Sequence, residues 1–277
     1  MDQILKEIQT SQRIIVKVGT STLTYDTGKL NLKRIECLVR VLSDLKNEGR
    51  QIILVTSGAI GVGVGKLGLR QRPKTTQEKQ AVAAVGQCEL MHLYDKLFSE
   101  YGHIVAQVLL TKDVVEEAHR KRNAINTFNT LLELGIIPIV NENDTVAVEE
   151  IEFGDNDTLS AVVGALVNAD LLVILSDIDG LYNADPRIDS SAKIIPVVEE
   201  ITEEIKKLAG GAGSNRGTGG MATKISAAEI ACKAGVNMII ANGEDPRILY
   251  EIFEGKQVGT LFLKEGQHIV RQLKEIV

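Results

Sequence analysis

The chain has 277 residues, 44% of them hydrophobic and 25% charged, with a formal net charge of −6, a balance that supplies a full globular core. Its basic residues are scattered and form no block or stripe, which excludes nucleic acid and acidic membrane surfaces as expected partners. No apolar run approaches the roughly 20 residues that span a bilayer, and the opening MDQILKEIQTSQRIIV lacks the apolar centre of a signal peptide, so a cytoplasmic location is expected.

In chain order, short β-branched runs alternate with longer segments of helical period. The strands are expected at Arg13 to Val18, Gln51 to Val55, Ile104 to Leu110, Ile136 to Val140, Leu171 to Leu175 and Val236 to Ala241. That alternation predicts an α/β fold: a three-layer αβα sandwich around a mostly parallel open sheet. Ile35, Leu38, Val39, Leu42 and Leu45 share one helical stripe that Gly49 stops, and a second helix is expected from about Gln77 to Tyr101, stopped by Gly102. VAVEEIEF at Val146 to Phe153 reads as a hairpin arm. One domain is expected over residues 1–263, with a short tail over 264–277. Cys37, Cys88 and Cys232 are widely separated and form no CxxC pair, so they read as reduced, mostly buried small hydrophobes rather than a disulfide or zinc framework.

Ligands of such sheets gather at the carboxyl ends of the strands. There the first strand delivers Lys17, followed by Gly19 and the hydroxyls of Thr20, Ser21 and Thr22. Two readings stand: a phosphate cradle of ammonium and glycine backbone, or a strand lysine turned to solvent. The second strand runs into Thr56, Ser57 and Gly58, a turn suited to holding an anion on helix N–H groups. Gly63, Gly65 and Gly68 match GxGxxG, but too far beyond the strand for a dinucleotide turn, so tight helix packing is the favoured reading. Asn141, Glu142, Asn143, Asp144 and Thr145 form a polar run that suits the ammonium and carboxylate of an amino acid, or simply a capped loop. Asp157, in GDNDT, reads as a helix N-cap or as a carboxylate that orients cations. Ser176 and Asp177 close the fifth strand. Between Gly210 and Gly220 lie six glycines, followed by Lys224 inside a helix. This is the best single phosphate signal, although it lacks the order of a Walker A loop.

Taken together, VKVGTS at Val16, VTSGAI at Val55, AAVGQ at Ala83, NENDTV at Asn141, GDNDTLSA at Gly154, SDIDGLYNADPR at Ser176, GTGGMATK at Gly217 and VGTLF at Val258 resemble the amino-acid kinase superfamily, most closely its γ-glutamyl kinase branch. The resemblance implies ATP-dependent phosphorylation of the γ-carboxylate of L-glutamate to an acyl phosphate, the first step of proline biosynthesis. It implies Lys17 and Lys224 flanking the transferred phosphoryl group, with Asp157 holding both. It also implies ATP along Ser176, Asp177 and the run Thr218, Gly219, Gly220, Met221, Ala222, Thr223 and Lys224. Mg²⁺ would be carried on the ATP phosphates with no direct protein ligand, and glutamate would be held by Ser57, Gly58, Asn141, Asp144 and Asn156. A homo-oligomer, feedback inhibition by proline and coupling to glutamyl phosphate reductase are carried over with it, whereas the PUA domain of many members is not expected here. The competing expectations are a sister kinase acting on aspartate or N-acetylglutamate, and a non-catalytic nucleotide sensor on the same fold.

Overall fold

The computed structural model describes residues 1–25, 29–111, 113–146, 156–210 and 220–268. Its strands are β1 (Arg13–Val18), β2 (Gln51–Val55), β3 (Val105–Leu110), β4 (Ile137–Glu142), β5 (Leu171–Ser176), β6 (Val197–Val198), β7 (Asn237–Asn242) and β8 (Thr260–Phe262). They form one sheet in the order β3-β4-β2-β1-β5-β7-β8-β6, parallel throughout except where β8 runs antiparallel to β7. The helices are α1 (Asp2–Gln9), α2 (Thr20–Leu23), α3 (Leu32–Asn47), α4 (Ala59–Leu67), α5 (Thr76–Ser99), α6 (Asp113–Glu116), α7 (Ala118–Glu133), α8 (Asn156–Val167), α9 (Glu203–Gly210), α10 (Met221–Lys233) and α11 (Ile248–Phe253). None among the described residues is long and apolar enough to cross a membrane.

The two-residue period of a strand sends alternate side chains to opposite faces. On β1, Ile14, Val16 and Val18 face a core shared with α1, α3, α4, α5 and α11, while Ile15 faces a second core shared with α7, α8, α9 and α10. The central strands are therefore apolar on both faces, as parallel strands covered by helices must be. Each fully buried Leu, Ile or Val there contributes about 1.5–3 kcal/mol relative to exposure. The expected αβα layering is observed, with element ends shifted by one or two residues. Gly49 and Gly102 stop α3 and α5 with φ of +95° and +76°, conformations that favour glycine.

One expectation about the fold is corrected. The cysteines are not uniformly buried: Cys232 is, and burial pushes its thiol up to about 12, but Cys37 is half-buried and Cys88 is exposed. Helical phase is the reason, since Cys88 follows the inward-facing Gly86 and Gln87 and so turns outward on α5. The sequence reading did not place the short N-terminal helix, although Ile4 and Ile8 carry its helical period, nor the edge strand β6 and the antiparallel β8, which are too brief to show a period. Of the expected hairpin arm, all but Val146 lies outside the described residues.

Candidate active site

The β1 alternation that sends Ile15 toward α8 and α10 sends Lys17 the same way, to the carboxyl edge of the sheet. From the other side comes α10, whose buried stripe is Met221, Lys224, Ile225, Ala227, Ala228, Ala231 and Cys232. Lys224 thus occupies a core-facing position of an otherwise apolar stripe, where an ammonium requires a counter-charge. Asp157, in the first turn of α8, supplies it. Lys17 Nζ lies 2.5 Å from Asp157 Oδ1, and Lys224 Nζ donates to Asp157 Oδ2 at 3.0 Å. Thr223 Oγ1 is 3.3 Å from the same Oδ2. The relative exposures are 7% for Lys17, 4% for Lys224 and 0% for Asp157, which overturns the reading of Lys17 as a solvent-facing lysine. Burial pushes the Asp157 carboxyl up, but the Lys17 and Lys224 ammonium groups and their hydrogen bonds outweigh it and hold it below its ordinary value of 3.8.

Beside this cluster lies a web of amides. Asn156 Nδ2 shares its two N–H groups among three acceptors: the carbonyl oxygen of Thr56, Ser57 Oγ at 3.0 Å and Asn141 Oδ1 at 2.8 Å. Asn141 Oδ1 also accepts the backbone N–H of Glu142 at 2.9 Å, and Asn141 Nδ2 donates to Gln87 Oε1 at 2.8 Å. Ser57, Asn141 and Asn156 are therefore brought together from the ends of β2 and β4 and the start of α8. Gly58 adjoins them with φ of +90°, and a Cβ there would lie 3.5 Å from Thr20 of the β1 turn. Asp144 follows β4 by two residues and is half-buried.

On the far side of β1, Ser176 ends β5, and its hydroxyl donates to the exposed Asp177 at 3.2 Å. Gly220 is the N-cap of α10; Met221 is buried in the core, Ala222 is exposed and Thr223 donates to the Gly220 carbonyl at 2.7 Å. Met221 can offer a ligand only its backbone. Thr218 and Gly219 lie outside the described residues, as does most of the glycine-rich run. Of the GxGxxG glycines, Gly63 is a packing residue, since a Cβ there would meet the Val82 carbonyl at 2.1 Å, while the exposed Gly68 caps α4 with φ of +63°.

The sequence reading assigned no role to Gln87. Gln87 had a usable signal, a polar residue on the buried α5 stripe of Val82, Ala83, Gly86, Leu90 and Tyr94. Thr223 was expected to hold ATP, and the structure adds its approach to Asp157.

Residues 12–242 match the model of the amino acid kinase family. The glutamate 5-kinase of Clostridium perfringens (strain 13 / Type A) is 61% identical over 267 residues, which cover 95% of this chain and 99% of that one. The glutamate 5-kinase of Thermoanaerobacter sp. (strain X514) is 57% identical over 91% of this chain and 68% of its own. Among solved structures, UMP kinase from Bacillus anthracis superposes with a TM-score of 0.63 at 18% identity, covering 94% of this chain and 99% of that chain. The isopentenyl phosphate kinase of T. acidophilum superposes with a TM-score of 0.58 at 17% identity, over 91% of this chain and 100% of that chain. These two share the fold. Matched along most of its length by the family model and at high identity by these relatives, the chain belongs to the amino acid kinase family and, within it, to the group of the glutamate 5-kinases.

Proposed function

We propose that the chain transfers the γ-phosphoryl group of ATP to the side-chain carboxylate of L-glutamate, giving the acyl phosphate that opens proline biosynthesis. The observation that carries the reading is the pair of buried ammonium groups, Lys17 and Lys224, held on the two oxygens of one carboxylate at the carboxyl edge of the sheet. Phosphoryl transfer asks for in-line positioning and fixed positive charge more than for covalent chemistry. Lysines already locked by Asp157 need little reorganisation when charge shifts from the breaking bond to the leaving ADP, so they favour the transition state over the ground state.

In this reading Ser176, Asp177 and residues 218–224 hold ATP, with Met221 contributing backbone. Mg²⁺ would be carried by the ATP phosphates and would neutralise their charge; both Asp157 oxygens are engaged by lysines, which leaves this carboxylate to hold the lysines and not the metal. Ser57, Gly58, Asn141, Asp144 and Asn156 hold glutamate. The bond polarity supports that assignment. Asn156 Nδ2 is committed to protein acceptors, leaving its Oδ1 as the acceptor it offers an ammonium, while Ser57 Oγ accepts from Asn156 and keeps its proton for a carboxylate.

Residues 1–263 act as one catalytic domain in the cytoplasm, assembled as a homo-oligomer, inhibited by proline and coupled to a glutamyl phosphate reductase. Sedimentation as a monomer, or turnover unmoved by excess proline, removes the corresponding element and leaves the chemistry intact. The chemistry is tested by ADP release with Mg·ATP while acyl phosphate is trapped with hydroxylamine. Hydroxamate is expected with glutamate and not with aspartate or N-acetylglutamate. Hydroxamate with another acid overturns the substrate, and none with any acid overturns the kinase reading.

A further inference from the structure

The amide web is polarised, and its polarity is pinned at both ends by backbone groups that have no choice of role. A backbone N–H, that of Glu142, makes Asn141 Oδ1 an acceptor; a backbone carbonyl, that of Thr56, makes Asn156 Nδ2 a donor. Asn141 must then present Nδ2 to Gln87, and Gln87 must turn its Oε1 to meet it, at 2.8 Å. The other half of the Gln87 amide bears the consequence. Its Nε2 is buried with no acceptor among the described residues, in a side chain only 8% exposed. A buried donor left unmade costs free energy, and an apolar residue on this stripe of α5 would avoid the cost. Gln87 owes its reach to one close packing contact. A Cβ at the preceding Gly86 would lie 1.7 Å from the Ala59 carbonyl, so only glycine lets α5 approach α4 closely enough to bring Gln87 against the end of β4.

We infer that Gln87 is a positioning residue for substrate recognition: its carbonyl holds Asn141, which holds Asn156, so that Asn156 keeps its Oδ1 toward the ammonium of the bound amino acid. Without Gln87, the Asn141 side chain keeps its Glu142 contact but loses the one that stops it rotating, so of the contacts that aim Asn156 those to Thr56 and Ser57 remain and the one to Asn141 loosens. The inference rests on the glutamate reading above, which glutamate-dependent hydroxamate formation by the unmodified chain tests separately.

The test compares Gln87→Met, which keeps the shape but removes the acceptor, with Gln87→Glu, which keeps an acceptor for Asn141. Steady-state kinetics would be measured with each substrate varied, beside thermal midpoints. Gln87→Met is expected to raise KM for glutamate about tenfold, the scale of one lost hydrogen bond, with KM for ATP and the thermal midpoint unmoved. Gln87→Glu is expected to recover most of that loss. If Gln87→Met leaves KM for glutamate unchanged, or raises both KM values together with a lowered midpoint, Gln87 is a packing residue and the inference fails. Equal impairment by Gln87→Glu and Gln87→Met also overturns it, because the acceptor is then not what matters.

Discussion

At Asp157 two opposing effects meet, and magnitudes decide between them. Burying a lone carboxylate is prohibitive, whereas a carboxylate held by two ammonium groups and a threonine hydroxyl is tolerated, and removing one partner of such a buried pair costs about 3–5 kcal/mol. Asp157→Asn is therefore expected to lower the urea midpoint strongly at neutral pH, where two buried ammonium groups lose their counter-charge. The Asp157 carboxyl lies below its ordinary 3.8 in the folded chain, so its stabilisation is complete above that value and is lost as pH falls toward the depressed one. The stability gap between the unmodified chain and Asp157→Asn should hold steady from neutral pH down to about pH 4 and close below it. A gap that closes near neutrality instead points to another group. Lys224→Ala is expected to lower kcat by about 100- to 1000-fold with a modest change in KM for glutamate. A rise in KM alone would contradict its proposed role in the transition state.

At the scale of elements, the loop after β5, where ATP is proposed to bind, is held from behind by β8. The Thr260 hydroxyl accepts the backbone N–H of Leu181 at 2.8 Å and donates to the Ile195 carbonyl at 2.7 Å, and Thr260 itself is fully buried. A Cβ at Gly180 would lie 2.6 Å from that hydroxyl, so glycine is required for the loop to pass so close. Thr260→Val preserves the shape but leaves the buried N–H of Leu181 unsatisfied, at about 1–3 kcal/mol, and the half-buried Ile195 carbonyl without its donor. The expected outcome is a lowered denaturation midpoint and a raised KM for ATP, with KM for glutamate little changed. If KM for glutamate rises instead, the loop after β5 serves the acceptor and the proposed division of the site is wrong.

At the scale of the whole molecule, Lys17, Asp157 and Lys224 meet only when β1, α8 and α10 have packed across the second core. Ligand binding should therefore register as global stability. At a concentration about 100 times its Kd, a ligand of the folded state adds about 2.7 kcal/mol, and Mg·ATP should raise the thermal midpoint by roughly 5–10 °C. Asp157→Asn should show little of that rise, and an equal rise would mean that the held lysine pair does not carry nucleotide binding. Much of this organisation was legible in the sequence. The β-branched runs marked the central strands within a residue or two, because a strand covered on both faces must be apolar along its length. Lys17, Ser57, Asn141 and Ser176 stood out as polar residues just where those runs end, and Asp157 and Lys224 as charged residues opening helices after polar or glycine-rich segments. Gln87 was readable only as an oddity on a buried stripe. Its role depends on an amide 54 positions away, and no local periodicity encodes which way that amide is turned. The sequence alone determined the layers, the strands and the kinds of side chain at their ends, since burial period and glycine conformation act over a few residues. Tertiary structure alone decided that two lysines share one carboxylate, that Lys17 is buried, that β8 reverses to brace the loop after β5 and that Gln87 joins the site. Each of these is a contact between distant segments, governed by how closely two surfaces approach and not by what either segment prefers by itself.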